Sequence, residues 1–283
     1  MRHGLTLMLF LAGTWAIAQT GQASSLLWKI EGPGTQTSYL FGTIHLLPES
    51  EFKIQEKVTN AFHAAEQIVL EVDMDDPSLQ MKLMQYATMK EGVTLEQVFS
   101  EEDYELVNDE IIRIMGIGLA NLNTMKPYML YSMLIRNIIE GTPASYELTF
   151  VQMAREKGLE VLGLETIAEQ MAVFDRIPYS VQAEDVVDMV REKEEMKKEF
   201  AEMVSAYNAE DLEALIEITE EYADSEEMLN ELIYKRNKNW IPLIREMSAG
   251  KRTFFGVGAG HLGGPEGVIA LLKKAGYEVT PVD

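Results

Sequence analysis

Four histidines occur in this chain, and two of them share one local setting. Ser38-Tyr39-Leu40-Phe41-Gly42-Thr43-Ile44-His45 is an apolar, strand-forming run that reaches a glycine, with an imidazole three residues later. Thr253-Phe254-Phe255-Gly256-Val257-Gly258-Ala259-Gly260-His261 repeats the pattern near the C-terminus. A glycine at a strand exit lets the backbone turn sharply or approach a neighbour, because no Cβ obstructs it. An imidazole just beyond such an exit lies over the edge where open α/β sheets hold ligands. Two of them there could share a metal ion or orient a water. A single Gly-x-x-His reads as an ordinary strand end; the matched pair in a histidine-poor chain is what points to chemistry. His63 falls on a predicted helix beside its apolar face and reads as a surface or helix-packing residue.

Carboxylates stand at comparable places. Ile68–Asp73 reads as a short strand, and alternation puts Glu71 on the same side as Val69. A carboxylate on an apolar strand is costly to bury unless it is paired, so the crevice holding His45 is its natural destination. Asp73, followed by Met74-Asp75-Asp76-Pro77, reads as solvated or helix-capping. A second strand, Leu159–Leu164, ends on Glu165. Arg236-Asn237 lies shortly before Trp240 in a helical stretch. That arginine is either a helix-surface cation or a group that holds a carboxylate or oxyanion in the site. Gly258, Gly260, Gly263 and Gly264 do not form a dinucleotide fingerprint: the spacing is wrong, and no acid stands about twenty residues on.

The elements that must position these groups follow from spacing. Leu26–Ile30 and Thr37–Phe41 form a hairpin around Gly32-Pro33-Gly34-Thr35. A helix is expected over Phe52–Gln67, with Val58, Phe62 and Ala65 on one face. Tyr146–Lys157 is a helix stopped by Gly158, and it feeds the strand before Glu165, as in an α/β unit. Residues 78–141 and 178–247 read as mainly helical, forming a layer or lid. The charge run Arg191–Glu199 is expected to be a solvated helix face. Met125, Met129 and Met133 recur at a four-residue spacing, which suits core filling or an adaptable groove for peptides or flat cofactors. A helix from Pro265 to Ala275 and a strand over Tyr277–Val282 close the chain.

Composition narrows the function classes. The net charge of −22 repels nucleic acid and anionic membrane. The absence of cysteine excludes disulfides, thiolate ligands, a cysteine nucleophile and a lipoprotein anchor. Residues 1–23 have the form of a signal peptide, with Arg2 and His3 before an apolar core and Ala16-Ile17-Ala18 or Gly21-Gln22-Ala23 as cleavage points. An exported chain, periplasmic or secreted, is expected, with residues 24–283 as one domain and an uncleaved anchor as the alternative.

Taken in order, Leu40-Phe41-Gly42-Thr43-Ile44-His45, Val69-Leu70-Glu71-Val72-Asp73, Gly163-Leu164-Glu165-Thr166, Arg236-Asn237 and Gly258-Ala259-Gly260-His261 resemble the TraB/PrgY/GumN family, which includes the animal Tiki proteins. The resemblance runs from about Leu26 to Val282. It implies an α/β fold akin to erythromycin esterases and the haem-binding ChaN proteins. Paired repeats would build a central mixed sheet around a shared site, under a mainly helical lid. For Tiki proteins it implies a metal-dependent peptidase, with His45, His261 and Glu71 here matching the ligands of a divalent ion such as manganese, cobalt or zinc. Gly42, Glu165, Asn237 and Gly258 would support that site. One departure stands out: where the family pattern has an Asp in the helix before the Gly-Leu-Glu strand, this chain has Tyr146-Glu147. Whether Glu147 replaces that Asp is left open.

Two function classes follow. The first is hydrolysis of a peptide or small molecule, with Glu71 as ligand or general base and Arg236 steadying developing negative charge. It has a metal-free, esterase-like variant in which His and Glu activate water directly. The second is capture of a peptide or tetrapyrrole such as haem between lid and sheet, without turnover.

Overall fold

The computed structural model describes residues 24–223 and 225–283, so the expected signal peptide lies outside the described residues. Six strands form one mixed sheet: β1 (Leu27–Glu31), β2 (Ser38–Thr43), β3 (Gln67–Val72), β4 (Glu160–Glu165), β5 (Thr253–Gly258) and β6 (Glu278–Pro281). Their spatial order is β4-β3-β5-β2-β1-β6. β4, β3, β5 and β2 run parallel, while β1 pairs antiparallel with β2 and β6. The predicted hairpin is therefore present, and it forms one flank of an otherwise parallel sheet.

Five consecutive residues of β3 and of β5 are buried, which requires cover on both faces of the sheet. Helix α1 (Glu56–Ala64) begins later than its apolar periodicity suggests, because Gln55 remains extended. On one face Phe62, Phe150 and Phe254 contact one another at centroid distances of 5.0 to 5.6 Å, and Phe41 joins them. Full burial of each ring is worth on the order of 2–3 kcal/mol. Phe255, the next residue along β5, turns by alternation to the opposite face and is also fully buried.

Further helices are α2 (Glu101–Met115), α3 (Pro127–Leu134), α4 (Tyr146–Lys157), α5 (Ile167–Phe174), α6 (Tyr179–Arg191), α7 (Lys193–Asn208), α8 (Leu212–Glu221), α9 (Lys235–Gly250) and α10 (Val268–Lys274). The final helix starts at Val268, after Pro265 and Gly267. Local chemistry sets several ends. Ser145 caps α4 by accepting the Leu148 N–H, and Gly158 ends it at φ +64. Thr166 and Glu169 form a capping box on α5. A short antiparallel pair, Leu47–Pro48 with Pro143–Ala144, is too brief to leave a sequence signal, and it ties the loop after His45 to the start of α4. No helix among the described residues is long and apolar enough to cross a membrane.

Because β2, β3, β4 and β5 point the same way, their C-terminal ends form one edge. β5 sits between β2 and β3, with Thr43 opposite Gly258 and Val72 opposite Glu165. The two glycine–histidine motifs are thus adjacent in space, and Glu71 and Glu165 lie on the other side of β5.

Candidate active site

Gly258 lies at the centre of that edge. A Cβ placed on it would come within 3.3 Å of Glu71 Oε1, 3.6 Å of His261 Cδ2 and 4.0 Å of His45 Nε2. Both imidazoles therefore lie within 4.0 Å of one point, and their nearest atoms can be no further apart than twice that distance. The backbone N–H of Gly258 donates to Glu71 Oε1 at 2.8 Å. Gly42 serves a different purpose: a Cβ there would meet Leu262 Cδ1 at 2.6 Å and the Ala259 backbone at 3.1 Å. Its bareness lets the second motif's turn pack against β2.

Each imidazole is held by Nδ1 from outside the crevice. His45 Nδ1 pairs with Glu147 Oε1 at 2.9 Å, and Glu147 also accepts from the hydroxyls of Thr43 (2.6 Å) and Ser145 (2.8 Å). His261 Nδ1–H donates to Asn237 Oδ1 at 2.7 Å, while Asn237 Nδ2 donates to the carbonyls of His261 and Glu266. The ring of His261 also rests on Trp240, at a centroid distance of 4.5 Å. Fixing Nδ1 in this way leaves Nε2 of both rings directed inward, the orientation found where histidines ligate metals.

Arg236 fills the space between the acids. Its Nη2 donates to Glu71 Oε2 (2.5 Å) and Glu165 Oε1 (2.7 Å), and Nε donates to Glu165. Nη1 donates to the Leu232 carbonyl and to His261 Nε2, at 2.8 and 3.1 Å. The Leu232 carbonyl belongs to a π turn, Asn230–Tyr234, a wide turn that often accompanies functional sites. The guanidinium also lies over the Trp240 ring at 4.9 Å. A guanidinium has five N–H groups, and these contacts engage each of its nitrogens. To receive an oxyanion, the role expected of it from sequence, Arg236 must first release one of them.

Burial opposes the charge on Glu71, but His261, Arg236 and His45 beside it, with the Gly258 N–H, outweigh it and hold the carboxyl down at about 2. Burial is also the main influence on His261; with Arg236 and His45 nearby it pushes this ring down to about 3, so its Nε2 is an unprotonated acceptor. His45 is uncovered toward the cavity yet lies at its floor. Desolvation there disfavours its charge, but the bond to Glu147 and the carboxylates of Glu71 and Glu147 prevail and raise it to about 9. Glu165 is pushed upward by burial, with Glu71 beside it, despite Arg236. Gln170 Nε2 bridges Glu71 and Glu165, at 3.2 and 3.1 Å.

The donor types suit a divalent cation: two imidazoles fixed through their far sides and one ionised carboxylate, around a glycine that leaves room, with the ion having to displace the proton that the carboxylates hold on His45. Among the described residues no three acidic or imidazole groups form a ready-made cage, and the Arg236 guanidinium lies against His261 Nε2 and Glu71. The residues therefore fit a weakly held ion that must draw Glu71 and His261 away from Arg236.

The structure brings His45, His261, Glu71, Gly42, Gly258, Glu165, Arg236 and Asn237 to this one edge. His63 is elsewhere, exposed on α1. Sequence reasoning missed Ser145, Thr43 and Gln170, whose types carry no signal alone, and left Glu147 undecided. It also missed Met189, Met196 and Met203, which line a cavity of about 890 Å³ above His45. Their seven-residue spacing was a readable signal for one continuous apolar stripe across α6 and α7.

The profile of the TraB/PrgY/gumN family matches residues 26–281. The chain is 23% identical to "Metalloprotease TIKI2" of Danio rerio, over 90% of this chain and 60% of that one. It is likewise 23% identical to "Metalloprotease TIKI homolog" of Amphimedon queenslandica, over 95% and 63%. An uncharacterized protein of Treponema pallidum is 22% identical, over 88% of this chain and 80% of its own. The chain thus spans about three-fifths of the length of the metalloproteases it matches. No solved structure matches it.

Proposed function

This chain belongs to the TraB/PrgY/gumN family, and from that premise we propose that it is a metal-dependent hydrolase cleaving peptides over His45, His261 and Glu71. The observation that carries the reading is the meeting of His45 Nε2, His261 and Glu71 Oε1 around Gly258, with both rings pinned through Nδ1. The similarity to proteins named metalloproteases supports it. A divalent ion, manganese, cobalt or zinc, would supply Lewis acidity and an acidified water when bound.

The chain's own residues do the rest. Asn237 fixes His261 with Nε2 as acceptor, and Glu147 fixes His45. Arg236 keeps Glu71 ionised, and Glu71 then either ligates or takes the proton of the attacking water. The expected export of the chain would place this activity outside the cytoplasm.

The test is cleavage of peptide libraries with and without added divalent ions, beside metal analysis by equilibrium dialysis. His45→Ala and His261→Ala should each lower activity by at least about 10³-fold and abolish metal uptake, with unchanged circular dichroism. His63→Ala should leave both intact. Retained activity in His45→Ala, or activity indifferent to chelator, would sink the proposal. The methionine- and aromatic-lined cavity also favours a second reading, capture of a peptide or haem without turnover. A haem absorbance band lost in His45→Ala would be its signature.

A further inference from the structure

The crevice has two chambers. The larger, about 890 Å³, lies under α6 and α7, and the smaller, about 500 Å³, lies beside Glu71 and Glu147. Both are lined by His45, Leu46, Tyr128, Phe174, Leu232 and Arg236, with Tyr128 and Phe174 stacked at a centroid distance of 3.7 Å. Two chambers side by side along this shared wall, in place of one closed pocket, suit an extended chain lying across His45.

The large chamber is graded. Its helical wall carries Met189, Met196, Met203 and Phe200, with Leu215 from α8, apolar groups among which the unbranched methionines adapt to a bulky apolar insert. Its mouth carries Asp188 and Glu192, one helical turn apart, and Glu199 on the next helix. All three are exposed. Among the described residues no cation forms an ion pair with Asp188 or Glu192, and Glu199 accepts only a tyrosine hydroxyl, from Tyr222. Among the described residues lining the chamber, Arg236 is the one Lys or Arg, and it is committed to Glu71 and Glu165. The mouth thus has uncompensated negative charge over an apolar interior.

We propose that the cleft selects extended peptides in which a bulky apolar side chain neighbours a Lys or Arg. The apolar group would fill the methionine-lined chamber, and the basic group would lie against Asp188 and Glu192. This rests on the peptide-directed reading of the site, although binding does not require turnover.

The test is fluorescence anisotropy with short dye-labelled peptides. One alternates Leu or Phe with Lys, a second has Glu for every Lys, and a third has Ser for every apolar residue. The His45→Ala variant in the presence of chelator removes turnover from the measurement. The Lys/Leu peptide should bind at least about tenfold more tightly than either control, and added salt should weaken it. Asp188→Lys combined with Glu192→Lys should erase its advantage over the Glu peptide, and Met203→Glu should weaken it while leaving that salt dependence in place. Equal binding of the three peptides, or full affinity in the Asp188→Lys/Glu192→Lys variant, overturns the inference. Tight, selective binding of a peptide that wild-type protein never cuts with any divalent ion would overturn the hydrolase reading and leave this one standing.

Discussion

Glu147 receives one imidazole and two hydroxyl hydrogens, and through them it decides how His45 faces the crevice. Its side chain reaches the ring from the start of α4. The raised value of His45 has a definite sign. The contribution of its charge to stability is whole below its ordinary 6.5 and is lost as the pH rises through about 9. Glu147→Gln removes the charge and leaves a weaker acceptor. The ring's titration, followed by NMR of its C–H signals, should fall by on the order of one unit or more. Metal affinity and cleavage should drop roughly 10–100-fold with it. A titration unmoved from wild type would show that the contact does not orient the ring in solution.

At the scale of elements, two glycines of similar local sequence do different work. The space at Gly258 faces the cluster, so Gly258→Ala pushes a methyl toward Glu71 Oε1 and should cost about 10²-fold in activity with little change in melting. The space at Gly42 is filled by Leu262 and the Ala259 backbone, so Gly42→Ala should cost about 1–3 kcal/mol of stability by overpacking. Thermal melts beside cleavage assays separate the two. An active Gly258→Ala protein would mean that the crevice has room to spare where the ion is expected.

Over the whole molecule, 46 acidic residues face 24 basic ones. Exposed pairs such as Lys198–Glu195 contribute little and weaken with salt, whereas self-repulsion of the net charge is relieved by it. Repulsion should dominate. Raising sodium chloride from low to well above physiological concentration should lift the melting temperature by on the order of 2–5 °C. A fall instead would show that surface pairs carry more stability than this balance allows.

Much of this was legible in the chain itself, because it depends on neighbours. Strand-forming runs, the stop at Gly158 and the paired glycine–histidine exits are governed by backbone freedom and spacing over a few residues. So was the placing of His45, His261 and Glu71 at strand ends. What tertiary structure alone decided is how those ends are joined. Glu147 reaches His45 across 102 residues, and Arg236 reaches Glu71 across 165. Arg236 arrives on α9, which leads into β5, the strand inserted between β2 and β3, and Glu147 arrives at the start of α4, which the short Leu47–Pro48 pairing ties to the loop after His45. Strand order is set by how all the buried faces pack together, and no local periodicity encodes it.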